Sequence, residues 1–310
     1  MEVEVLEKTF KCGDHASLSL SNIRGEAVIL RGEENTIAVH VEKNLNSGDA
    51  DHTEIEIYQQ ENGKVIARTR YDLPGNQFFR RNIPCEVAYQ VSVPSNCDLE
   101  IHGVSNTANI QGISGVIDVS TVSGDLGLNS LAGELTLKSV SGDIQAENID
   151  AAVQIDMVSG DARMEASNIP SLRGKTVSGD LMFETPLGEG PYDFHSVSGD
   201  VRLKLMPLSE ATIISSSLSG DFRTQVPLSS SDHNRSNHRA EIMGGGVDIN
   251  HKSVSGDFFL EGSDGEQPPI EVPASVADLD ERPTNSEILA SIERGEMSVD
   301  EAVGWIANAG

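Results

Sequence analysis

The chain has 310 residues and carries 49 Asp and Glu against 22 Lys and Arg, a formal net charge of -27. An acidic surface of this strength disfavours nucleic acid and anionic membrane as partners, because it offers too few cations to neutralise phosphates or attract acidic lipids. No apolar run approaches the ~18 residues of a membrane-spanning helix, so the sequence predicts no membrane span.

The first residues and the cysteines favour a cytoplasmic location. Residues 1–10 contain no basic stretch followed by an apolar run, so we expect no signal peptide. Cys12, Cys85 and Cys97 are odd in number and lack Cys-x-x-Cys spacing, which argues against a disulfide framework and a zinc site. We therefore expect a reduced compartment and no cofactor.

Residues 1–101 are predicted to form a β-rich region that caps a repeat array. Apolar and polar residues alternate over 16–21 and 26–30, as expected for half-buried strands. Further on, 54–58 and 65–69 flank Asn62-Gly63, a pair that favours a hairpin turn.

Residues 102–261 contain a repeat that predicts a β-solenoid. The tetrapeptide Val/Leu-Ser-Gly-Asp occurs seven times, with its serines at Ser123, Ser141, Ser159, Ser178, Ser198, Ser219 and Ser255. A period near 20 residues is typical of coils that bury their apolar faces against neighbouring coils. The fold class predicted is all-β: a single-stranded β-solenoid, or β-helix, of about eight or more coils. The last interval is two periods long, so we expect one turn to be missing or replaced by the polar stretch 229–237.

The apolar residues around each motif predict two short strands that meet at the Ser-Gly-Asp corner. Ile155 and Val153 precede Val158 in the same way that Leu137 and Leu135 precede Val140. Apolar residues also recur four and six positions after the valine or leucine that begins each motif. On this register we expect Val158 to lie in the core, with local thinning of the core at Gly174 and Ser215.

The motif aspartates should line up along one edge of the solenoid. We interpret them as a structural turn ladder in which glycine takes a positive φ angle and the Ser and Asp side chains accept backbone N–H groups. The alternative is a column of bound cations, although one carboxylate per coil is few for calcium. The ladder residues are Asp125, Asp143, Asp161, Asp180, Asp200, Asp221 and Asp257.

His233 and His238 could supply half of a metal site, but no third His or Cys lies nearby in sequence, so a solvated loop is the interpretation favoured. The sequence also lacks a Gly-x-Ser-x-Gly elbow, a His-Glu-x-x-His motif and a phosphate-binding glycine loop, and we expect no enzyme activity.

After the repeats, residues 262–284 are rich in Pro, Gly and acids and predict a flexible linker. Residues 285–310 show two short helical patterns, predicted to form a small α-helical hairpin. Its apolar residues exceed what two short helices can bury between them, so we expect them to bind a protein partner or a second copy of the chain. They are Ile288, Leu289, Ile292, Val303, Trp305 and Ile306.

The residues 16–30, the Val-Ser-Gly-Asp array and the segment 244–257 together resemble the bacterial putative-adhesin β-strand repeat family, a domain of unknown function. Residues 285–307 are similar to the short SHOCT-like hairpin that accompanies such repeats in bacterial envelope-stress proteins. The resemblance implies a solenoid with a possible link to envelope stress.

The leading functional hypothesis is a non-catalytic scaffold whose solenoid binds protein and whose hairpin recruits a partner or self-associates. The alternatives are a surface adhesin or envelope-stress sensor and, less favoured, a carbohydrate-active β-helix enzyme.

Overall fold

The structure is a computed structural model that describes residues 2–13, 15–72, 83–206, 209–234 and 237–262. These residues form 23 β-strands and, over those ranges, no helix. The all-β prediction is confirmed. The predicted hairpin at 285–310 lies outside the described residues, as does the predicted linker beyond Gly262.

The N-terminal strands are β1 (Val3–Lys11), β2 (Ala16–Arg31), β3 (Thr36–Asn44), β4 (Thr53–Gln59), β5 (Val65–Tyr71), β6 (Glu86–Val93) and β7 (Cys97–Gln111). β4 and β5 pair antiparallel, as the Asn62-Gly63 turn predicts. β2 pairs in parallel with β5 and β6 on one side and with β7 on the other. The parallel stack therefore begins at β2, and the predicted boundary at residue 102 falls inside β7.

The regular coils each consist of a longer and a shorter strand. They are β8 (Ser114–Ser123) with β9 (Leu126–Asn129), β10 (Ala132–Ser141) with β11 (Ile144–Glu147), β12 (Asp150–Ser159) with β13 (Ala162–Glu165), β14 (Leu172–Ser178) with β15 (Leu181–Thr185), and β16 (Tyr192–Ser198) with β17 (Val201–Leu205). Matching strands of successive coils pair in parallel and in register, so that each motif serine lies opposite the next.

The last coils are stacked out of chain order. The chain continues through β18 (Ala211–Ser217), β19 (Phe222–Thr224), β20 (Ser230–Asn234), β21 (Asn237–Ile242), β22 (Val247–Ser253) and β23 (Phe258–Gly262). β22 pairs with both β16 and β18, and β23 pairs with both β17 and β19. The final coil is thus inserted between the two coils that precede it in sequence.

This arrangement corrects the expectation of a missing or replaced turn. The polar stretch does not stand in for a coil: β20 and β21 form an antiparallel hairpin, and β21 also pairs antiparallel with β18. The double interval between Ser219 and Ser255 arises because this hairpin separates the two coils in sequence.

The core contains the apolar residues predicted three and five positions before the valine of the Val-Ser-Gly-Asp motif, but not the motif valine itself. Val153 and Ile155 are buried, whereas Val158 is 47% exposed. The prediction that Val158 lies in the core is wrong because it stands three residues after Ile155. An odd offset along a strand places a side chain on the opposite face.

The expected thinning of the core is offset by neighbouring side chains. The ring of Phe194 lies so close to Gly174 that a Cβ added to the glycine would come within 3.2 Å of it. Ser215 is buried against His251, whose Nδ1 lies 3.0 Å from the serine Oγ. Large residues in adjacent coils therefore fill the space that the small ones leave.

Candidate functional site

The Ser-Gly-Asp corners bring the backbones of neighbouring coils very close together. Gly160 adopts a φ of +103°, a conformation that residues with a side chain rarely adopt. A Cβ atom added there would collide with the carbonyl oxygen of Gly142 in the adjacent coil. The same collision with an adjacent motif glycine recurs at Gly142, Gly179, Gly199, Gly220 and Gly256. The stacking of the coils therefore requires glycine at this position.

The motif aspartates form hydrogen bonds between coils. At each step, Oδ1 of one aspartate accepts the backbone N–H of the aspartate in the next coil, at 2.8–3.0 Å. Along the stack the order is Asp125, Asp143, Asp161, Asp180, Asp200, Asp257 and Asp221. These charge-assisted bonds offset the repulsion between stacked carboxylates.

The aspartate ladder ends at a cation. The Arg223 guanidinium lies 3.1 Å from the Asp221 carboxylate and 3.4 Å from that of Asp257. Over the described ranges, no group of three or more His, Cys, Asp or Glu side chains is placed to hold a metal ion. The hydrogen bonds from backbone N–H groups to the aspartate Oδ1 atoms are the contacts that the turn-ladder interpretation expects.

The stretch that contains the two histidines forms secondary structure, where a loop was expected. His233 and His238 occupy opposite positions in the β20–β21 hairpin. The His238 ring lies 5.9 Å from the ring of Phe222. The hairpin thus covers one edge of the stack.

The apolar residue before each corner points outward, and these residues together form an exposed column that we call the valine ladder. Its seven valines are each 47–49% exposed, and Leu218 is 79% exposed. Successive members lie one coil apart, about 4.8 Å. In order along the stack they are Val104, Val122, Val140, Val158, Val177, Val197, Val254 and Leu218. Contiguous apolar surface on a charged protein is typical of an interaction site.

A groove of about 520 Å³ follows part of this ladder. Its apolar side is formed by Val158, Val177, Val197 and Val254, and its polar side by the residues two positions earlier on each strand, Asp156, Lys175, His195 and Lys252. Side chains two positions apart on a strand lie on the same face, so the two columns run side by side along the outer surface.

A buried histidine lies behind the groove. His251 is fully buried, its ring stacks on Phe258 at 4.9 Å, and its Nε2 has no hydrogen-bond partner among the described residues. Burial, reinforced by the nearby His195, lowers the pKa of His251 to about 4. The imidazole is therefore neutral at physiological pH.

The predicted partner-binding residues of the hairpin, Ile288 to Ile306, lie outside the described residues. The valine ladder is a surface that the sequence reasoning missed. The sequence does contain the information, because Val158 lies an odd number of residues after the predicted core residues Val153 and Ile155 and so must face the opposite way. None of the described residues belongs to a helix long and apolar enough to cross a membrane.

The parallel stack, with one Gly-Asp corner per coil, defines a β-solenoid repeat protein. Within that class the chain belongs to the Toastrack DUF4097 family, whose sequence profile matches residues 26–261. No curated protein matches it significantly.

Several solved structures are similar in part. A putative adhesin of Bacteroides fragilis is 10% identical, with 84% of this chain and 97% of that chain covered and a TM-score of 0.45. A putative lipid binding protein of Parabacteroides distasonis is 12% identical, with 84% and 96% covered and a TM-score of 0.42. A putative adhesin of the same species is 10% identical, with 84% and 97% covered and a TM-score of 0.39. Likenesses this distant carry no functional argument.

Proposed function

We propose that this protein is a non-catalytic scaffold that binds another protein along the valine ladder. The observation that carries the proposal is the ladder itself: eight apolar side chains, each at least 47% exposed, aligned on one face of a chain with a net charge of -27. Leaving these side chains in water forgoes the free energy that their burial would provide, and a bound partner would recover it.

The repetition of the corners supports binding over catalysis. The motif carboxylates play the same role from coil to coil, as acceptors for a backbone N–H, with Asp221 paired to Arg223 at the end. Catalytic sites need a few unlike groups held in one place. A surface repeated at a fixed spacing suits a partner that lies across several coils.

The C-terminal segment and the location remain part of the proposal. The apolar residues at 288–306 would recruit a partner or a second copy at the end of the predicted linker, and the scaffold would act in the cytoplasm in an envelope-stress response. Deletion from Thr284 onward should leave the solenoid folded, because coils depend on adjacent coils. Light scattering and pull-down of the full and truncated chains would test the segment, and cell fractionation would separate this proposal from a surface adhesin.

The ladder itself is tested by a matched pair of variants. In Val177→Ser/Val197→Ser the central ladder loses two apolar side chains, whereas Val3→Ser/Val5→Ser makes the same change at valines of similar exposure on β1. We expect quantitative pull-down to lose the partner with the first variant and keep it with the second. Equal recovery with both variants would contradict the proposal.

A further inference from the structure

The groove contains two lysines whose side chains are unpaired. Among the Lys and Arg residues that the structure describes, Lys175 and Lys252 are the two whose side chains form no hydrogen bond or ion pair. The other described Lys and Arg side chains form ion pairs with acids, as Lys138 Nζ does with Asp118 Oδ2 at 3.8 Å, or donate hydrogen bonds to neutral oxygens, as Lys8 Nζ does to the Ile57 carbonyl oxygen at 2.6 Å. In a chain where acids outnumber bases by 49 to 22, two lysine side chains with neither an ion pair nor a hydrogen bond are unusual.

These lysines are neighbours in the stack. Lys175 pairs in register with His195, and His195 with Lys252, so the three side chains are about 4.8 Å apart along one column. Asp156 pairs in register with Lys175 from the other side, and its carboxylate accepts a hydrogen bond from Gln154 at 3.0 Å. The polar side of the groove therefore holds two lysines against one acid and forms a positive strip beside an apolar one.

From this juxtaposition we infer that the groove binds an amphipathic α-helix of a partner protein, with apolar residues facing the valines and acidic residues facing Lys175 and Lys252. This inference rests on the proposed function and specifies the chemistry of the partner. The charge of the strip is complementary to an acidic flank and would repel a basic one.

A helix fits better than an added strand. The valines project from the face of a sheet whose strands are already paired on both sides, as β14 is with β12 and β16. An extended peptide would find no free backbone groups there, whereas a helix binds through side chains alone. The ladder pitch of about 4.8 Å is close to the 5.4 Å turn of a helix, so apolar residues on successive turns can meet successive valines. The four valines of the groove span about 14 Å, or roughly ten helical residues.

The probe for this inference is a synthetic amphipathic helix of about 18 residues, with leucines on one face and glutamates on one flank. Its twin carries lysine in place of every glutamate. Fluorescence anisotropy with the full chain should show the acidic helix binding at least about tenfold more tightly than its twin. The substitution Lys175→Glu/Lys252→Glu should abolish that preference.

The control Arg163→Glu/Lys204→Glu makes the same change in net charge on β13 and β17, outside both the groove lining and the ladder strands, and should retain most of the preference. Circular dichroism and melting temperature establish that each variant is folded. No measurable binding of the acidic helix, equal binding of both helices, or an equal loss in the control and the groove variant would each overturn the inference.

Two further outcomes separate this inference from the proposed function. If both helices bind equally and Val177→Ser/Val197→Ser weakens both, the ladder is a binding surface but the acidic specificity is wrong. If vesicles of anionic phospholipid bind in a groove-dependent way and the helices do not, the occupant is a lipid surface, and both the helix inference and the protein partner are wrong.

Discussion

The motif glycines offer the sharpest test of the stacking, and Gly160→Ala is the substitution of choice. Two effects oppose an alanine at this position. The φ of +103° is strained for any residue with a side chain, by about 1–2 kcal/mol. In addition, the new Cβ would occupy the place of the Gly142 carbonyl oxygen, so the two coils must move apart at the corner.

That movement would disturb the two hydrogen bonds between coils formed by the backbone of Asp161, the residue that follows the glycine. The Asp161 N–H donates to Asp143 Oδ1 at 3.0 Å, and the Ile144 N–H donates to the Asp161 carbonyl at 2.8 Å. Each such bond contributes about 1 kcal/mol. Together with the strain, Gly160→Ala should destabilise the solenoid by about 3–4 kcal/mol.

Gly63→Ala supplies the control. Gly63 has a φ of +88° in the β4–β5 turn, and no atom lies within 4 Å of the position that its Cβ would take. Gly63→Ala introduces the backbone strain alone and should reduce the free energy of unfolding by about 1–2 kcal/mol. Urea unfolding followed by circular dichroism measures both losses. Equal losses in the two variants would refute the claim that close contact between coils requires the motif glycines.

Three further predictions concern side-chain orientation, the aspartate ladder and pH. Val158→Asp should change the free energy of unfolding by less than about 1 kcal/mol, because the side chain is half exposed. Ile155→Asp should cost several kcal/mol or prevent folding, because it buries a carboxylate. Similar melting temperatures for the two variants would contradict the outward orientation of Val158. Asp161→Asn keeps an oxygen that can accept the Asp180 N–H, so its effect should be about 1 kcal/mol or less and smaller than that of Asp161→Ala, as urea unfolding will show. His251, whose pKa burial lowers to about 4 from 6.5, contributes stability that is present above pH 6.5 and lost as the pH falls toward 4, by about 3 kcal/mol. Between pH 6.5 and 4.5, the free energy of unfolding of His251→Leu should therefore depend less on pH than that of the natural chain. Glu100 does not protonate in this window, because Lys64 lowers its pKa to about 2. Neighbouring acids raise the pKa values of the partly exposed His40 and His52, so these two residues act in the opposite direction, but they do so in both proteins and cancel in that comparison. Parallel profiles would show that His251 is not the group responsible.

The repeat period and the buried positions could be predicted from the sequence because each coil repeats the same local pattern. Ile155, Leu137 and their equivalents alternate with polar residues, and that alternation is local information. The same alternation places Val158 on the outer face, whereas the apolar side chain of a valine favours a buried position. The two criteria conflict at Val158, and the alternation is the correct one.

The order of the last coils could not be predicted in this way. β22 lies between β16 and β18, and this depends on which strand edges are free when the chain returns from the β20–β21 hairpin. That is a long-range property. That the side chains of Lys175 and Lys252 form no ion pair is equally non-local, because it depends on which residues of adjacent coils lie beside them.

Site-specific photo-cross-linking in the native host would show directly whether a partner protein binds along the valine ladder. A photoreactive amino acid would replace Val197 in one version of the full chain and Val5, of similar exposure on β1, in another. We expect a discrete protein adduct from position 197 that is absent from position 5. Val177→Ser in the same chain should weaken this adduct. No adduct at position 197, or the same adducts from both positions, would contradict the claim.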